Sequence, residues 1–174
     1  MVKMVKFETH KTAVIVVNMQ EDLMEAAKTV GIEADALASR IGAFVREMRM
    51  RGALITFAAS VDGGALDARL GYCPETDYLI EKPCTSAFFE TDLRYILMNH
   101  KVDHALVCGL KTNLDCRATA IDATSHDLIS YILSDLTAAD SEETKAFHLR
   151  EMSWYFSMPI TAEEAITRMN DGRL

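Results

Sequence analysis

The groups in this chain that could do chemistry fall in four short stretches: Asn18 to Asp22, Ala58 to Asp62, Lys82 to Phe88, and Leu110 to Cys116. Together they offer the amides of Asn18, Gln20 and Asn113, several carboxylates, the ammonium groups of Lys82 and Lys111, and the thiols of Cys84 and Cys116. A carboxylate beside an ammonium suits a base, a nucleophile or a plain ion pair, whereas a thiol attacks a carbonyl only after something has taken its proton. A metal centre does not suggest itself. His100 and His104 stand four residues apart, but Val102-Asp103 separates a helix end from the next strand, so the two do not share a helical face. No Gly-rich phosphate fingerprint or Walker pattern is present, and no cofactor is expected.

The elements that must hold these groups alternate along the chain. Thr12 to Asn18 is a nearly continuous, valine-rich apolar run, the pattern of a strand covered on both faces. From Ala34 to Arg51, Leu37, Ile41, Phe44, Val45 and Met48 recur at helical spacing, with Gly52 as a stop. Strands are predicted over Ala53 to Ala59 and Asp77 to Lys82, separated by a long loop containing Gly63-Gly64 and Pro74. Phe89, Leu93, Ile96 and Leu97 then form one helical face, His104 to Leu110 reads as a strand, and Leu114 to Ser125 returns to helical spacing. Leu128 to Leu133 is a fifth strand, Glu142 to Phe156 a helix, and Ile160 marks a short sixth strand. A last helix starts at Thr161, whose Glu164 completes a capping box.

Such alternation predicts an α/β fold: a doubly wound, six-stranded, mostly parallel sheet flanked by helices. Its ligand site should lie beyond the carboxyl ends of the strands, near the reversal of strand order, which is where the four stretches fall. No linker or repeat divides the chain, so residues 1–174 read as one domain, large enough to bury roughly two-thirds of the surface its unfolded form exposes. With 18 basic against 26 acidic side chains, net −8, it offers little to a nucleic-acid backbone. The longest uninterrupted apolar stretch, Ala13 to Val17, is far short of the ~20 residues of a membrane span. Without a secretory leader or C-x-x-C spacing, Cys73, Cys84, Cys108 and Cys116 read as reduced thiols of a cytoplasmic protein, two or more of them buried.

Three blocks then point to a family. Val16-Val-Asn-Met-Gln-Glu-Asp-Leu23, Lys82-Pro-Cys-Thr-Ser-Ala-Phe-Phe-Glu-Thr-Asp-Leu93 and Gly109-Leu-Lys-Thr-Asn-Leu-Asp-Cys-Arg-Ala-Thr-Ala-Ile-Asp-Ala123 resemble, in that order, the isochorismatase-like or cysteine hydrolase superfamily. The resemblance runs from about residue 12 to 170. It implies a six-stranded parallel sheet, assembly as dimers or larger homo-oligomers, small-molecule substrates, and in the amidase branch a triad of aspartate, lysine and cysteine. Those three places hold Asn18, Lys82 and Asp115, so two are replaced. Asn18 can orient a substrate but cannot be the base. Cys116 does not restore the thiol, because one step along a helix turns a side chain by roughly 100° away from its neighbour's direction; a buried structural thiol is the better reading.

With Asn113 as N-cap, Asp115 would sit in the first helical turn, where free amides and the helix dipole favour an anion. The carboxylate is then transposed from position 18 to position 115, with Lys82 retained and Lys111 adding a second cation that could cradle a substrate carboxylate. The true isochorismatases also lack the cysteine, but their acid stands at the Asn18 position, so isochorismate is not assigned. The resemblance also implies a cis peptide between Leu110 and Lys111 in many members. Nicotinamidase-like relatives place an aspartate and histidines after the second strand, where this chain has Ala58-Ala-Ser-Val-Asp62 and no histidine between residues 11 and 99. The candidate catalytic residues are Asn18, Lys82 and Asp115, and the candidate binding residues Gln20, Lys111 and Phe88. The readings that stay open are a hydrolase working through Asp115 and Lys82, a silent member that binds a small ligand or serves as an assembly subunit, and a thiol hydrolase using Cys116.

Overall fold

The structure is a computed structural model that describes residues 6–171. Six strands form a single sheet: β1 (Thr12–Val17), β2 (Leu54–Ser60), β3 (Tyr78–Lys82), β4 (His104–Leu110), β5 (Ile129–Ala138) and β6 (Met158–Ile160). Their order is β3-β2-β1-β4-β5-β6, and every neighbouring pair is parallel. β1 is central, and all six of its residues are buried, which is why its sequence shows no polar alternation. Order reverses between β1 and β4, so the carboxyl ends of these two strands open the crevice in which doubly wound sheets hold their ligands.

Helices α1 (Glu21–Thr29), α2 (Ala34–Met50), α3 (Leu93–Asn99), α4 (Arg117–Ser125), α5 (Glu142–Tyr155) and α6 (Ala162–Asp171) cover the sheet. One core cluster joins Val14 and Val16 of β1 to Met24 of α1, Leu37, Ile41 and Met48 of α2, and Ala165 of α6. The other joins Ala13, Ile15 and Val17 to Leu93 and Leu97 of α3, Ala120 of α4 and Met152 of α5. Successive residues of β1 thus alternate between two cores, as a strand sandwiched by helices must. The capping box at the start of α6 is closed in both directions: Thr161 N–H donates to Glu164 Oε2 at 2.7 Å, and Glu164 N–H to Thr161 Oγ1 at 3.1 Å.

Three elements differ from the sequence expectation. Phe89 precedes α3 and is half exposed, because the helix starts only at Leu93. The helix expected from Leu114 is split into a π-helical turn, Thr112–Cys116, followed by α4. β5 runs to Ala138 rather than ending at Leu133: Val107 pairs with Ile132 and Gly109 with Thr137, so four residues of β5 face one of β4 across a bulge.

The loop between β2 and β3 is tied down by polar contacts as well as by Leu70, which is fully buried in the core with Leu66 and Tyr72 packed beside it. Arg49 in α2 forks onto Asp77, with Nε to Oδ1 at 3.0 Å and Nη2 to Oδ2 at 2.6 Å. Asp67 accepts from the backbone N–H of Arg69 at 2.9 Å and from its guanidinium at 2.7 Å. The Arg69 guanidinium hydrogen bond holds the Asp67 carboxyl below its ordinary value. A carboxyl depressed in the folded state contributes stability that is present above its unfolded value, near pH 4, and is lost as pH falls through the folded one. Asp67→Asn keeps the cap but removes the charge. It should unfold more easily than wild type at neutral pH and converge with it in acid, read from thermal melts across that range.

Candidate active site

Lys82 is the last residue of β3, and its side chain, only 2% exposed, reaches over the sheet edge to the turn that follows β4. Its Nζ donates to Asp115 Oδ1 at 2.7 Å and to the carbonyl of Cys84 at 3.0 Å. An ammonium has three N–H donors and a carboxylate two oxygens. One N–H of Lys82 and Oδ2 of Asp115 are therefore without a protein partner among the described residues. Two full charges removed from water are tolerated only when they compensate each other closely, and the 2.7 Å separation does so.

Sequence reasoning missed how this contact is braced. Ser86 Oγ donates to Asp122 Oδ2 at 2.5 Å, and Ala87 N–H donates to Thr119 Oγ1 at 3.1 Å. Both acceptors lie on α4, so the segment after Lys82 is pinned to the helix that follows Asp115. The signal was the spacing Thr119 to Asp122, one polar pair on a helix whose other inward residues are alanines.

The turn carrying Asp115 is not built as expected. Asn113 does not cap it, and its Oδ1 is buried without a hydrogen-bond partner. The turn is entered instead through Lys111, held in the left-handed region at φ 63°. No cis peptide occurs among the described residues, so the Leu110–Lys111 bond is trans, against the implication of the resemblance. Cys116 is fully buried, and its Sγ donates to the carbonyl of Leu110 at 3.3 Å rather than pairing with Lys82 or Asp115. Burial pushes its thiol well above the usual range, so it stays protonated at neutral pH. Cys108 is buried too, Cys73 half-buried and Cys84 exposed, all as free thiols.

Asn18 follows directly after β1 with φ 56°, its N–H donating to the carbonyl of Ala58 at 2.9 Å. Its side chain is not hydrogen-bonded to Lys82 or Asp115; Oδ1 is buried and unpartnered. Beneath it lies a cavity of about 170 Å³, lined by Asn18, Lys111 and Asp140 among apolar residues of α1 and β4. The structure therefore brings Lys82 to Asp115, and Asn18 to Lys111, in two adjacent groupings at the sheet's carboxyl edge.

The other two candidates lie elsewhere. Gln20 is 1% exposed and committed to the chain itself: Nε2 donates to the carbonyls of Ser60 and Gly64 at 3.1 and 2.8 Å, and Oε1 accepts from Ser60 N–H at 2.7 Å. Phe88 packs in the core against His126, with ring centroids 5.1 Å apart, near Val102 and Leu128, which precede β4 and β5. That is the amino-terminal side of the sheet, so Phe88 is not brought to the other candidates. Asp140, just past β5, is a cavity residue that the sequence reading did not single out.

The family model described as isochorismatase domain matches residues 12–164. The chain belongs to the isochorismatase family. Among curated members of the isochorismatase family, an uncharacterized isochorismatase family protein, YaaI, of Bacillus subtilis (strain 168) is 35% identical over 92 residues, covering 53% of this chain and 51% of its own. The chain spans about half the length of the curated relatives it matches. A cysteine hydrolase from Pseudomonas syringae pv. phaseolicola superposes with a TM-score of 0.82 at 22% identity, over 99% of this chain and all of that one. The pyrazinamidase of Pyrococcus horikoshii, solved in complex with zinc, superposes with a TM-score of 0.76 at 25% identity, over 87% of this chain and 99% of that one. A zinc site of that kind does not fit the residues here. After β2 stand Val61 and Asp62, and among the described residues no group of three His, Cys, Asp or Glu side chains could hold a metal ion. Nor, among them, is any helix long and apolar enough to cross a membrane.

Proposed function

We propose that this isochorismatase-family protein hydrolyses small carbonyl- or carboxylate-bearing molecules without a thiol nucleophile. The observation that supports this reading is the buried Lys82–Asp115 pair, which keeps one donor and one acceptor uncommitted. In the reaction, Asp115 takes a proton from water as the water oxygen adds to the substrate carbonyl carbon. The remaining N–H of Lys82 donates to the carbonyl oxygen as negative charge grows there. The adduct then collapses, and the leaving group departs with the proton Asp115 held. Asn18 orients the substrate through its amide. On the resemblance set out above, Asp115 stands where the amidases keep their sulfur.

The test is a screen of amides, esters and vinyl ethers, followed by two variants on whatever turns over. Asp115→Asn should lose about 10²- to 10⁴-fold in kcat, the usual worth of a positioned base, while Cys116→Ala stays within a few-fold of wild type. The reverse pattern would establish the thiol and overturn the proposal.

One observation favours a second reading, a silent member that binds a ligand: neither Lys82 nor Asp115 lines the cavity under Asn18. No turnover across the screen, together with ligand-dependent thermal stabilisation, would support it.

A further inference from the structure

The polar groups of the cavity under Asn18 set what it accepts. Its wall is apolar, from Leu23, Ala26, Ala27, Val30, Ile32 and Leu110, and only Asn18, Lys111 and Asp140 interrupt it. Asn18 is 7% exposed, and its Oδ1 is buried with no donor opposite. Buried acceptors are almost always satisfied, so this oxygen lacks a donor, which a turn of the Asn18 amide toward the cavity would let a ligand N–H or O–H supply.

Lys111 and Asp140 supply opposite charges. Leu110 pairs with Ala138, so both charged residues extend just past the ends of two adjacent strands. Both are exposed, and neither forms an ion pair with any described residue, although they line one cavity. Two opposite charges that start from neighbouring positions and do not close on each other leave an anion site and a cation site side by side.

We infer that this cavity binds a small zwitterionic amino acid with a compact apolar side chain. The carboxylate meets Lys111, the ammonium is shared between Asn18 Oδ1 and Asp140, and the side chain lies against Leu23, Val30 and Ile32. The volume of about 170 Å³ sets the size. An apolar cavity of about 150 Å³ accepts benzene, so the four-carbon side chain of leucine fits within the apolar wall while its charged groups stay at the exposed Lys111 and Asp140. The inference rests on the proposed hydrolysis only in making a derivative of such an amino acid the substrate; binding itself needs no reaction.

The test is calorimetric titration of the full chain with L-leucine, with isocaproate, which lacks the amine, and with isopentylamine, which lacks the carboxylate. Leucine should bind, and each truncated probe should bind about tenfold or more weakly, the usual worth of one charged hydrogen bond. Lys111→Asn, which suits the left-handed backbone, should weaken leucine and leave isopentylamine unchanged. Asp140→Asn should weaken leucine and leave isocaproate unchanged. Ala26→Phe, on an exposed helix position, should fill the cavity and abolish binding. Isocaproate binding as well as leucine would overturn the ammonium site, and no binding of leucine, or binding indifferent to Ala26→Phe, would overturn the inference altogether. Titrating Asp115→Asn separates the two ideas. Leucine binding without hydrolysis of any derivative sinks the reaction and keeps this site, whereas Asp115-dependent turnover of other molecules without leucine binding does the opposite.

Discussion

Lys82→Met should cost the protein about 3–5 kcal/mol of stability and, on the proposed mechanism, any turnover that depends on Asp115. Methionine keeps the length and apolar stem of lysine, so packing along β3 is little disturbed. What it removes is the cation 2.7 Å from a carboxylate that is itself nearly buried, with 11% of its side chain exposed. Removing one member of such a pair leaves an uncompensated charge away from water, and that penalty exceeds what the intact pair contributes over an apolar replacement. Lys82→Met with Asp115→Leu should therefore recover much of the lost stability while remaining inactive. Asp115→Asn should fall between, because an amide oxygen still accepts from the ammonium. Urea titration decides the matter through a shift in midpoint at unchanged slope. A loss below about 1 kcal/mol for Lys82→Met, the worth of an exposed pair, would show that water already screens both charges.

The Lys82–Asp115 contact was legible in two different ways: Asp115 follows β4, whose own signal is strong, whereas β3 is only partly buried and Lys82 was found by its motif. β1 and β4 are buried along their whole length, and burial on both faces leaves the continuous apolar run by which such strands are recognised. Where burial is thin the signal fades. α1 was not foreseen, having only Met24 and Ala27 buried. The extension of β5 was hidden for a different reason: Ser134 and Asp135 fall within the bulge, and polar residues there look like the end of a strand. Asp140 went unnoticed as a consequence, since a strand ending at Leu133 does not deliver residue 140 to the crevice. Gln20 and Phe88 show another limit. Residue type and nearness to a strand end do not reveal whether a side chain's hydrogen bonds are already used by the backbone, as those of Gln20 are. Nor do they reveal whether the chain doubles back, as it does when it carries Phe88 to the opposite end of the sheet. Asn113 shows a third. A good capping residue caps only a helix that starts beside it, and here a π-helical turn entered through Lys111 takes that start away.

Gly109→Ala should be as damaging as the loss of Lys82, and for steric rather than electrostatic reasons. Gly109 lies in β4 with φ +120°, a conformation that side chains rarely adopt. A Cβ there would stand 2.1 Å from the carbonyl oxygen and 2.8 Å from the nitrogen of Val17. Those atoms belong to the central strand, where Val17 pairs with Gly109 on one side and with Ala58 on the other, so they cannot retreat without breaking two ladders. Backbone strain of about 1–3 kcal/mol adds to an overpacking cost of about 1–3 kcal/mol, for a total of several kcal/mol. Gly52→Ala is the control that separates the two contributions. It has φ +84° but nothing within 4 Å of the new Cβ, and should show the backbone part alone. Because Gly109 immediately precedes Leu110 and Lys111, any variant protein that still folds must shift the end of β4 to relieve the contact. That displacement moves Lys111 and the turn bearing Asp115 together, so ligand binding and turnover should fall along with the melting temperature. If Gly109→Ala is no more costly than Gly52→Ala in the same melts, the two central strands do not meet as closely as described, and the placement of both groupings at their ends would have to be redrawn.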